Sequence, residues 1–254
     1  KPVTSWQEID GYRYYFGEDH GIKTGWLTLE DGNYYLNTDG KMQTLWLDAA
    51  EGRRYFGEDG VLRTGWQEIG EDRYWFDENG ILQTGWVELE ENRRYFHEDG
   101  TLATGWLELE EGIYWLNESG CPAAGWLDLE ENRYCFDESG ILRTGWAELD
   151  GKLYFFGEDG AVRTGWLELE GQKYLFGEDG AAHTGWWEED AGRYYFHEDG
   201  TLGTGWLEIG EYRYYLLPDG RAATGKQEIE GETHYFTPKG IQVLLVNPWH
   251  PLAN

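Results

Sequence analysis

The sequence predicts an all-β solenoid of about twelve stacked 20-residue β-hairpin repeats. Three observations predict it. The unit G-W-Q-E-I-G-E-D-R-Y-W-F-D-E-N-G-I-L-Q-T, at 65–84, returns every twenty residues to about residue 240 without insertion or deletion. Trp holds its second place at 6, 26, 46, 66, 86, 106, 126, 146, 166, 186 and 206, and only the twelfth copy changes it, to Lys226. Each unit contains two short strand-like runs separated by turn residues. A unit this small cannot bury a core alone and must lean on its neighbours.

The first strand follows each Trp. Leu107-Glu108-Leu109 and Leu167-Glu168-Leu169 alternate with period two, which makes the residues one and three after Trp the core candidates. A tight turn follows, in which Gly32, Gly112 and Gly192, Asn92 and Asn132, or Gly151 and Gly171 are expected to supply a positive φ. The second strand, Arg73-Tyr74-Trp75-Phe76 in the reference unit, is rich in sheet-favouring aromatics. A second turn of the form Gly57-Glu58-Asp59-Gly60 closes the unit. His97 and His197 take its first place, where Gly, Asn or Asp stand elsewhere, and that substitution set predicts a left-handed turn residue rather than a metal ligand. A lone apolar residue such as Leu62 or Leu82 then leads to Thr-Gly and the next Trp. The ends depart from the pattern, with His20 in a turn-Gly place and Pro238-Lys239 in the last turn, as capping repeats do.

Composition narrows the partners. The mean hydropathy is -0.70, yet 15 Trp, 18 Tyr and 10 Phe concentrate apolar area in a few large rings. A net charge of -29 argues against nucleic acid and against an anionic lipid surface. It fits a secreted chain whose partner is neutral or cationic. No apolar run is long enough to cross a membrane, and any secretion signal would lie outside a sequence that opens directly onto the array at Lys1. Cys121 and Cys135 do not make a disulfide framework. They read as two unpaired thiols, with a bridge left open because its geometry cannot be read from spacing.

No enzyme constellation stands out, and no metal or cofactor site is expected. The recurring Glu68, Glu88, Glu108, Glu148, Glu168 and Glu208 are too regular for one active site and read as a solvated face. The four remaining histidines share no ligand spacing, and the E-D-G turns lack the ligand set of a calcium loop. What repeats is aromatic. Trp shares its strand face with that Glu, so it is expected half-buried at a seam between hairpins, where a ring face can serve a sugar or a quaternary ammonium.

T-G-W-x-x-x-x-G-x-x-Y-Y-F-x-x-D-G, over residues 5–240, resembles the cell-wall-binding repeats of Gram-positive surface proteins. That superfamily includes choline-binding modules, glucan-binding repeats and the short repeats of clostridial toxins. The resemblance implies a left-handed solenoid, about three hairpins per turn, with ligand grooves between successive hairpins. In choline-binding members a second Trp opens the aromatic strand. Here that place is basic in eight of twelve copies, at Arg13, Arg53, Arg73, Arg93, Arg133, Lys173, Arg193 and Arg213. A guanidinium there can stack on Trp and fill the cage. It would repel a trimethylammonium ion by about 4 kcal/mol at 4 Å and an effective dielectric of 20. The copies with Asn33, Ile113 and Leu153 are less unfavourable, and the usual Met of the choline pattern survives only at Met42.

The candidate ligand-binding residues are therefore Trp26, Trp46, Trp66, Trp86, Trp106, Trp126, Trp146, Trp166, Trp186 and Trp206, with Tyr35, Tyr55, Trp75, Tyr95, Trp115, Tyr195 and Tyr215 beside them and Arg73, Arg93 and Arg133 among the basic residues. The expected partner is cell-wall or other surface polysaccharide, held without catalysis by a secreted, wall-associated chain. Choline of a teichoic acid and a purely structural spacer stay open as alternatives, and so does the oligomeric state. Residues 1–240 form the expected array and 241–254 a cap or linker. Within the latter, L-L-V-N-P-W-H-P-L at 244–252 resembles the opening of VanY-type D,D-carboxypeptidases, whose zinc motifs would lie downstream.

Overall fold

The computed structural model describes residues 4–243. The peptidase-like motif at 244–252 lies outside them. The described chain is all-β, twelve successive antiparallel hairpins of two five-residue strands each. It divides into two compact units, Lys1–Ala123 and Ala124–Asn254. Six hairpins fall in the first unit, from Ser5–Ile9/Tyr12–Phe16 to Gly105–Leu109/Gly112–Leu116. Six fall in the second, from Gly125–Leu129/Asn132–Phe136 to Gly225–Ile229/Glu232–Phe236.

One register serves every hairpin. In the reference unit Gly65 pairs with Phe76, Trp66 with Trp75, Gln67 with Tyr74, Glu68 with Arg73 and Ile69 with Asp72. Alternation then puts Trp66, Glu68, Arg73 and Trp75 on one face, and Ile69, Tyr74 and Phe76 on the other. The second face is the core. Phe56, Phe76, Phe96, Phe156 and Phe196 are fully buried, as are Leu36, Leu116 and Leu216 in the same place. Tyr34, Tyr114, Tyr154, Tyr194 and Tyr214, two residues earlier, are buried as well. Most first-strand apolar residues are only half-buried, with Leu89, Leu107 and Ile229 buried. The core expected on the first strand thus lies mainly on the second, because its end is the part over which the neighbouring hairpin folds.

The first turn differs from the sequence expectation. Leu89 pairs with Asn92, so the loop holds only residues 90 and 91. The left-handed residue is Glu90 (φ 59°), and Glu130 (φ 54°) in the equivalent place, while Asn92 and Asn132 simply open the second strand. Asp150 (φ 52°) with Gly151 (φ 72°), and Glu170 (φ 50°) with Gly171 (φ 78°), show the pattern of a two-residue hairpin loop with both central φ angles positive. The register is fixed by the core face, so the positive φ falls on a loop residue in some copies and on the glycine that opens the second strand in others. Gly32 (φ 152°), Gly112 (φ 151°) and Gly192 (φ 146°) do supply the expected positive φ, as the first residue of the second strand, and a Cβ on Gly32 would come within 2.6 Å of Val61 Cγ1 on the following connector.

His97 and His197 do occupy the second turn, but neither is left-handed; Gly100 (φ 88°) and Gly200 (φ 81°) are. Two interchangeable locks hold that turn. Where its first residue is Asn or Asp, the side chain accepts two backbone N–H bonds, as Asp77 does from Asn79 (2.9 Å) and Ile81 (2.8 Å). Where the first residue is Gly or His, the Asp two places on accepts instead, as Asp99 does from the Thr101 N–H (2.9 Å) and hydroxyl (2.7 Å). The first place therefore varies because the lock moves, not because the backbone is left-handed there.

Adjacent hairpins are tied by the connector. Its apolar residue donates its N–H to a carbonyl 29 residues earlier, as Leu62 does to Asn33, Leu82 to Arg53 and Leu202 to Lys173, each at 2.8 Å. Pro122 stands in that place once and has no N–H to give. The turn glycine then seats on the preceding connector: a Cβ on Gly80, already at φ 71°, would lie 2.7 Å from Leu62 Cδ1. Both cysteines are free, and burial pushes the Cys135 thiol up.

Two outcomes test this architecture. Phe76→Ala should destabilise the first unit by about 3–5 kcal/mol in denaturant unfolding, whereas loss within experimental error would remove Phe76 from the core. Hydrogen bonds from Thr101 and Thr201 hold the Asp99 and Asp199 carboxyl groups below their ordinary values. A depressed folded value means the stabilisation is full above the unfolded carboxylate value and is lost as pH falls through the folded one. Melting temperature should therefore fall between about pH 4 and pH 2, and fall less in the Asp99→Asn/Asp199→Asn double variant.

Candidate functional site: grooves along the tryptophan face

The opposite face of each hairpin carries the candidate residues, and the register explains why they meet. Trp66 faces Trp75 edge-on at 5.3 Å between ring centroids, and Trp26–Tyr35, Trp46–Tyr55, Trp86–Tyr95, Trp106–Trp115, Trp186–Tyr195 and Trp206–Tyr215 repeat the arrangement at 5.0–5.3 Å. Cys135 stands opposite Trp126 and Leu175 opposite Trp166, so those two lack this ring. The following hairpin closes the groove from the other side. Its mid-strand Tyr lies 28 residues after the Trp, as in Trp46–Tyr74 (5.3 Å), Trp86–Tyr114 (5.1 Å), Trp146–Tyr174 (4.8 Å) and Trp186–Tyr214 (4.7 Å). Its buried Phe sits beneath, as in Trp66–Phe96 at 5.7 Å.

These mid-strand tyrosines are wall residues that the sequence reading did not single out. Their spacing of 28 was visible. That a ring on one repeat touches the Trp of the previous one depends on how hairpins stack. The Tyr place is not always aromatic: Arg54 lies 5.3 Å over Trp26 and Arg94 5.5 Å over Trp66. Arg54 is buried and paired with Glu51 at 3.4 Å.

The basic residue at the start of the second strand decides whether a groove is open. Arg13, Arg53, Arg73, Arg93, Arg133, Arg193 and Arg213 each hold the guanidinium over their own Trp at 3.8–4.8 Å. The acidic residue directly across the strand steers several of them: Asp48–Arg53 at 3.2 Å, Asp128–Arg133 at 3.4 Å, Glu188–Arg193 at 3.1 Å and Glu208–Arg213 at 3.5 Å. The recurring acid therefore does more than face solvent. Such exposed pairs add little stability individually, but across a strand they fix the direction of the fork. The head also reaches a turn carbonyl two repeats on, Arg13 to Asp59 at 3.4 Å, Arg73 to Glu118 at 3.5 Å and Arg193 to Lys239 at 2.9 Å.

Where arginine is missing, Trp is uncovered. Trp26, Trp106, Trp146 and Trp166 are 49, 46, 41 and 44% exposed, and their partners in that place are Asn33, Ile113, Leu153 and Lys173. The seven arginine-covered tryptophans are all half-buried. Trp146 has an apolar surround, with Phe155 at 5.0 Å, Tyr174 at 4.8 Å, Phe176 at 5.9 Å and Leu153 in place of arginine. Next to Leu153 a cavity of about 420 Å³ is lined by Glu148, Lys152, Ala182, Glu198 and Asp199 among others. Asp199 stands 46 residues after Leu153, the separation at which Arg13 and Arg193 find their carbonyls, so this cavity lies along the path an arginine head takes elsewhere.

Repeated hairpins, each lending a tryptophan to a groove that the next one closes, define a solenoid module with many shallow aromatic sites. Models of the choline-binding repeat match residues 63–105 and 203–244, and those of a cell wall binding repeat match 4–19, 24–42, 144–162 and 164–182. Together they take in more than half of the chain, which belongs to this cell-wall-binding, choline-binding repeat family. Among solved structures it is similar to CbpJ from Streptococcus pneumoniae TIGR4, with 25% identity and a TM-score of 0.74 over 94% of this chain and 100% of that one. Choline binding protein F from Streptococcus pneumoniae shares the fold at 24% identity, with a TM-score of 0.70 over 94% of this chain and 98% of that one. The modular autolysin LytC of the same species shares it at 22% identity and a TM-score of 0.52, over 79% of this chain and 48% of that one. No curated protein matches the sequence.

The cover makes a measurable difference. Arg73→Leu should expose Trp66 and raise the share of total tryptophan emission that iodide and acrylamide quench. Unchanged quenching would show that the guanidinium is not what shields the ring.

Proposed function

We propose that this chain is a non-catalytic, multivalent module that holds a secreted protein to the Gram-positive cell wall by binding wall polysaccharide. The observation that carries this reading is the division of the tryptophans into covered and open grooves. A ring 41–49% exposed in a groove between hairpins is an available contact, whereas one under the arginine of its own second strand is already used. The Trp146 groove offers π faces on several sides and carboxylates at Glu148, Glu198 and Asp199 nearby. That chemistry favours a quaternary ammonium such as the choline substituent of a teichoic acid over an uncharged sugar. The structure of choline binding protein F with a tetrasaccharide-pentapeptide peptidoglycan analogue, from a relative at 24% identity, agrees with a wall polymer as partner. Weak single sites add up by avidity along the array.

A second reading, a structural spacer, is favoured by the seven filled grooves, and one module can serve both ends. The motif at 244–252 supports a zinc D,D-carboxypeptidase domain beyond Asn254, which the downstream coding sequence would reveal by its zinc-ligand pattern. Choline titration followed by tryptophan fluorescence tests the main reading. Wild-type protein should saturate. Leu153→Arg should weaken the Trp146 site by about tenfold or more, since a cation about 4 Å away costs up to about 4 kcal/mol before solvent screening. The variant should fold, because seven other hairpins carry arginine there. Failure of choline to bind at all, or binding unaltered by Leu153→Arg, would overturn the assignment.

A further inference from the structure

We propose that the cavity between Arg193, Arg221 and Lys239 is a second type of ligand site, which takes a phosphate ester carried by an anionic wall polymer. The inference deepens the wall-binding reading and rests on it for the nature of the polymer. The cavity measures about 350 Å³, and its lining includes Gly192, Thr224 and Gln227 beside the three cations. Asp and Glu are both absent from that lining, in a chain with 49 acidic and 20 basic residues. Three cations converge on its wall, with the carboxylates that hold Arg193 and Arg221, Glu188 and Asp219, outside the lining.

The same cavity exists forty residues earlier with the opposite charge. Leu153 corresponds to Arg193, Ala181 to Arg221, Glu198 to Pro238 and Asp199 to Lys239, and that earlier cavity is lined by Glu148, Glu198 and Asp199. Its one cation, Lys152, is engaged by Asp179 at 3.1 Å. The two cavities share most of their lining positions and are of comparable volume, about 420 and 350 Å³, while the electrostatic sign is reversed. One cavity suits the cationic group of a ligand, the other its anionic group.

The cations come from three separate segments: a strand, a connector and a turn. Arg193 is fixed in advance. Its guanidinium stacks on Trp186 at 3.8 Å, its Nε faces Glu188 at 3.1 Å, and NH1 donates to the Lys239 carbonyl at 2.9 Å. The rest of the fork remains for a ligand. Arg221 is held by Asp219, to which Nε donates at 2.8 Å, and packs over Gly192, where a Cβ would lie 3.1 Å from Arg221 Cδ. Lys239 makes no ion pair among the described residues. Gln227 donates to the Thr224 carbonyl at 2.9 Å, and the Thr224 hydroxyl adds a further donor on the cavity wall. Donors from three sides match a tetrahedral oxyanion better than a planar carboxylate, which a single arginine fork would satisfy. The positions are largely preset, so little ordering opposes binding.

The twin cavity supplies the control. Titration with inorganic phosphate and with glycerol 3-phosphate, followed by amide chemical shifts, should show saturable changes at residues 192–193, 221–224 and 239–240. The double variant Arg221→Ala/Lys239→Asp, which installs residues the fold already accepts forty positions earlier, should bind both about tenfold or more weakly. Raised ionic strength should weaken wild-type binding. Absence of saturable phosphate binding by the wild type, or equal affinity in the double variant, would overturn the site. Glucuronate binding as tightly as glycerol 3-phosphate would overturn the assignment to phosphate. Choline titration at Trp146 should be unaffected by the double variant. Phosphate binding without choline binding would leave this site standing while removing the choline reading.

Discussion

What holds one hairpin to the next is the wedge of its tryptophan against the tyrosine and phenylalanine of the hairpin that follows. Among the described residues each five-residue strand pairs only with its own partner, so there is no continuous sheet to carry the array. A two-stranded hairpin alone is marginal in water. Each repeat becomes stable by burying the end of its second strand, Phe76 and its equivalents, under a neighbour's Trp and connector. The single connector hydrogen bond between adjacent hairpins fixes the offset of that contact, and the glycine in the second turn lets the backbone come close enough to make it.

The same wedge makes the binding surface. A hairpin has two faces, and the stack uses one completely, so tryptophan is left on the other with one side of its ring against the next repeat and the other toward solvent. How far each tryptophan is exposed then depends on one variable residue per repeat. Arginine covers the ring from within the chain, guided by the carboxylate across the strand. Leucine, isoleucine or asparagine leaves it open. Seven tryptophans lie under the arginine of their own hairpin and four are exposed, so the proposed binding falls to particular repeats of one architecture. The charge reversal between the cavities around residues 153 and 193 follows the same logic.

The errors of the sequence reading have a common cause. Asn92 and Asn132 looked like left-handed turn residues because asparagine tolerates that conformation, yet the register placed Glu90 and Glu130 there. His97 and His197 looked left-handed because Gly and Asn share their place, yet those substitutions track which carboxylate or amide locks the turn. Leu and Ile of the first strand looked like equal partners of Phe in the core because they alternate, yet most are half-buried and Phe of the second strand is the residue fully covered. Propensity describes what a residue tolerates; packing decides where in the turn or strand the demand falls.

The sequence by itself determined the period, the hairpin, the face on which tryptophan stands and the arginine that competes for it. Each of these is a local matter of side-chain alternation over a few residues or of plain counting. Only the tertiary structure decided that Tyr74 closes the groove of Trp46, that Arg94 joins Arg73 over Trp66, and that Trp26, Trp106, Trp146 and Trp166 are the exposed rings. Those contacts join residues about 28 apart, or an arginine head and a turn carbonyl about 46 apart. Their distances depend on how successive hairpins stack, a geometry that is set by buried volume and is not written in any one repeat.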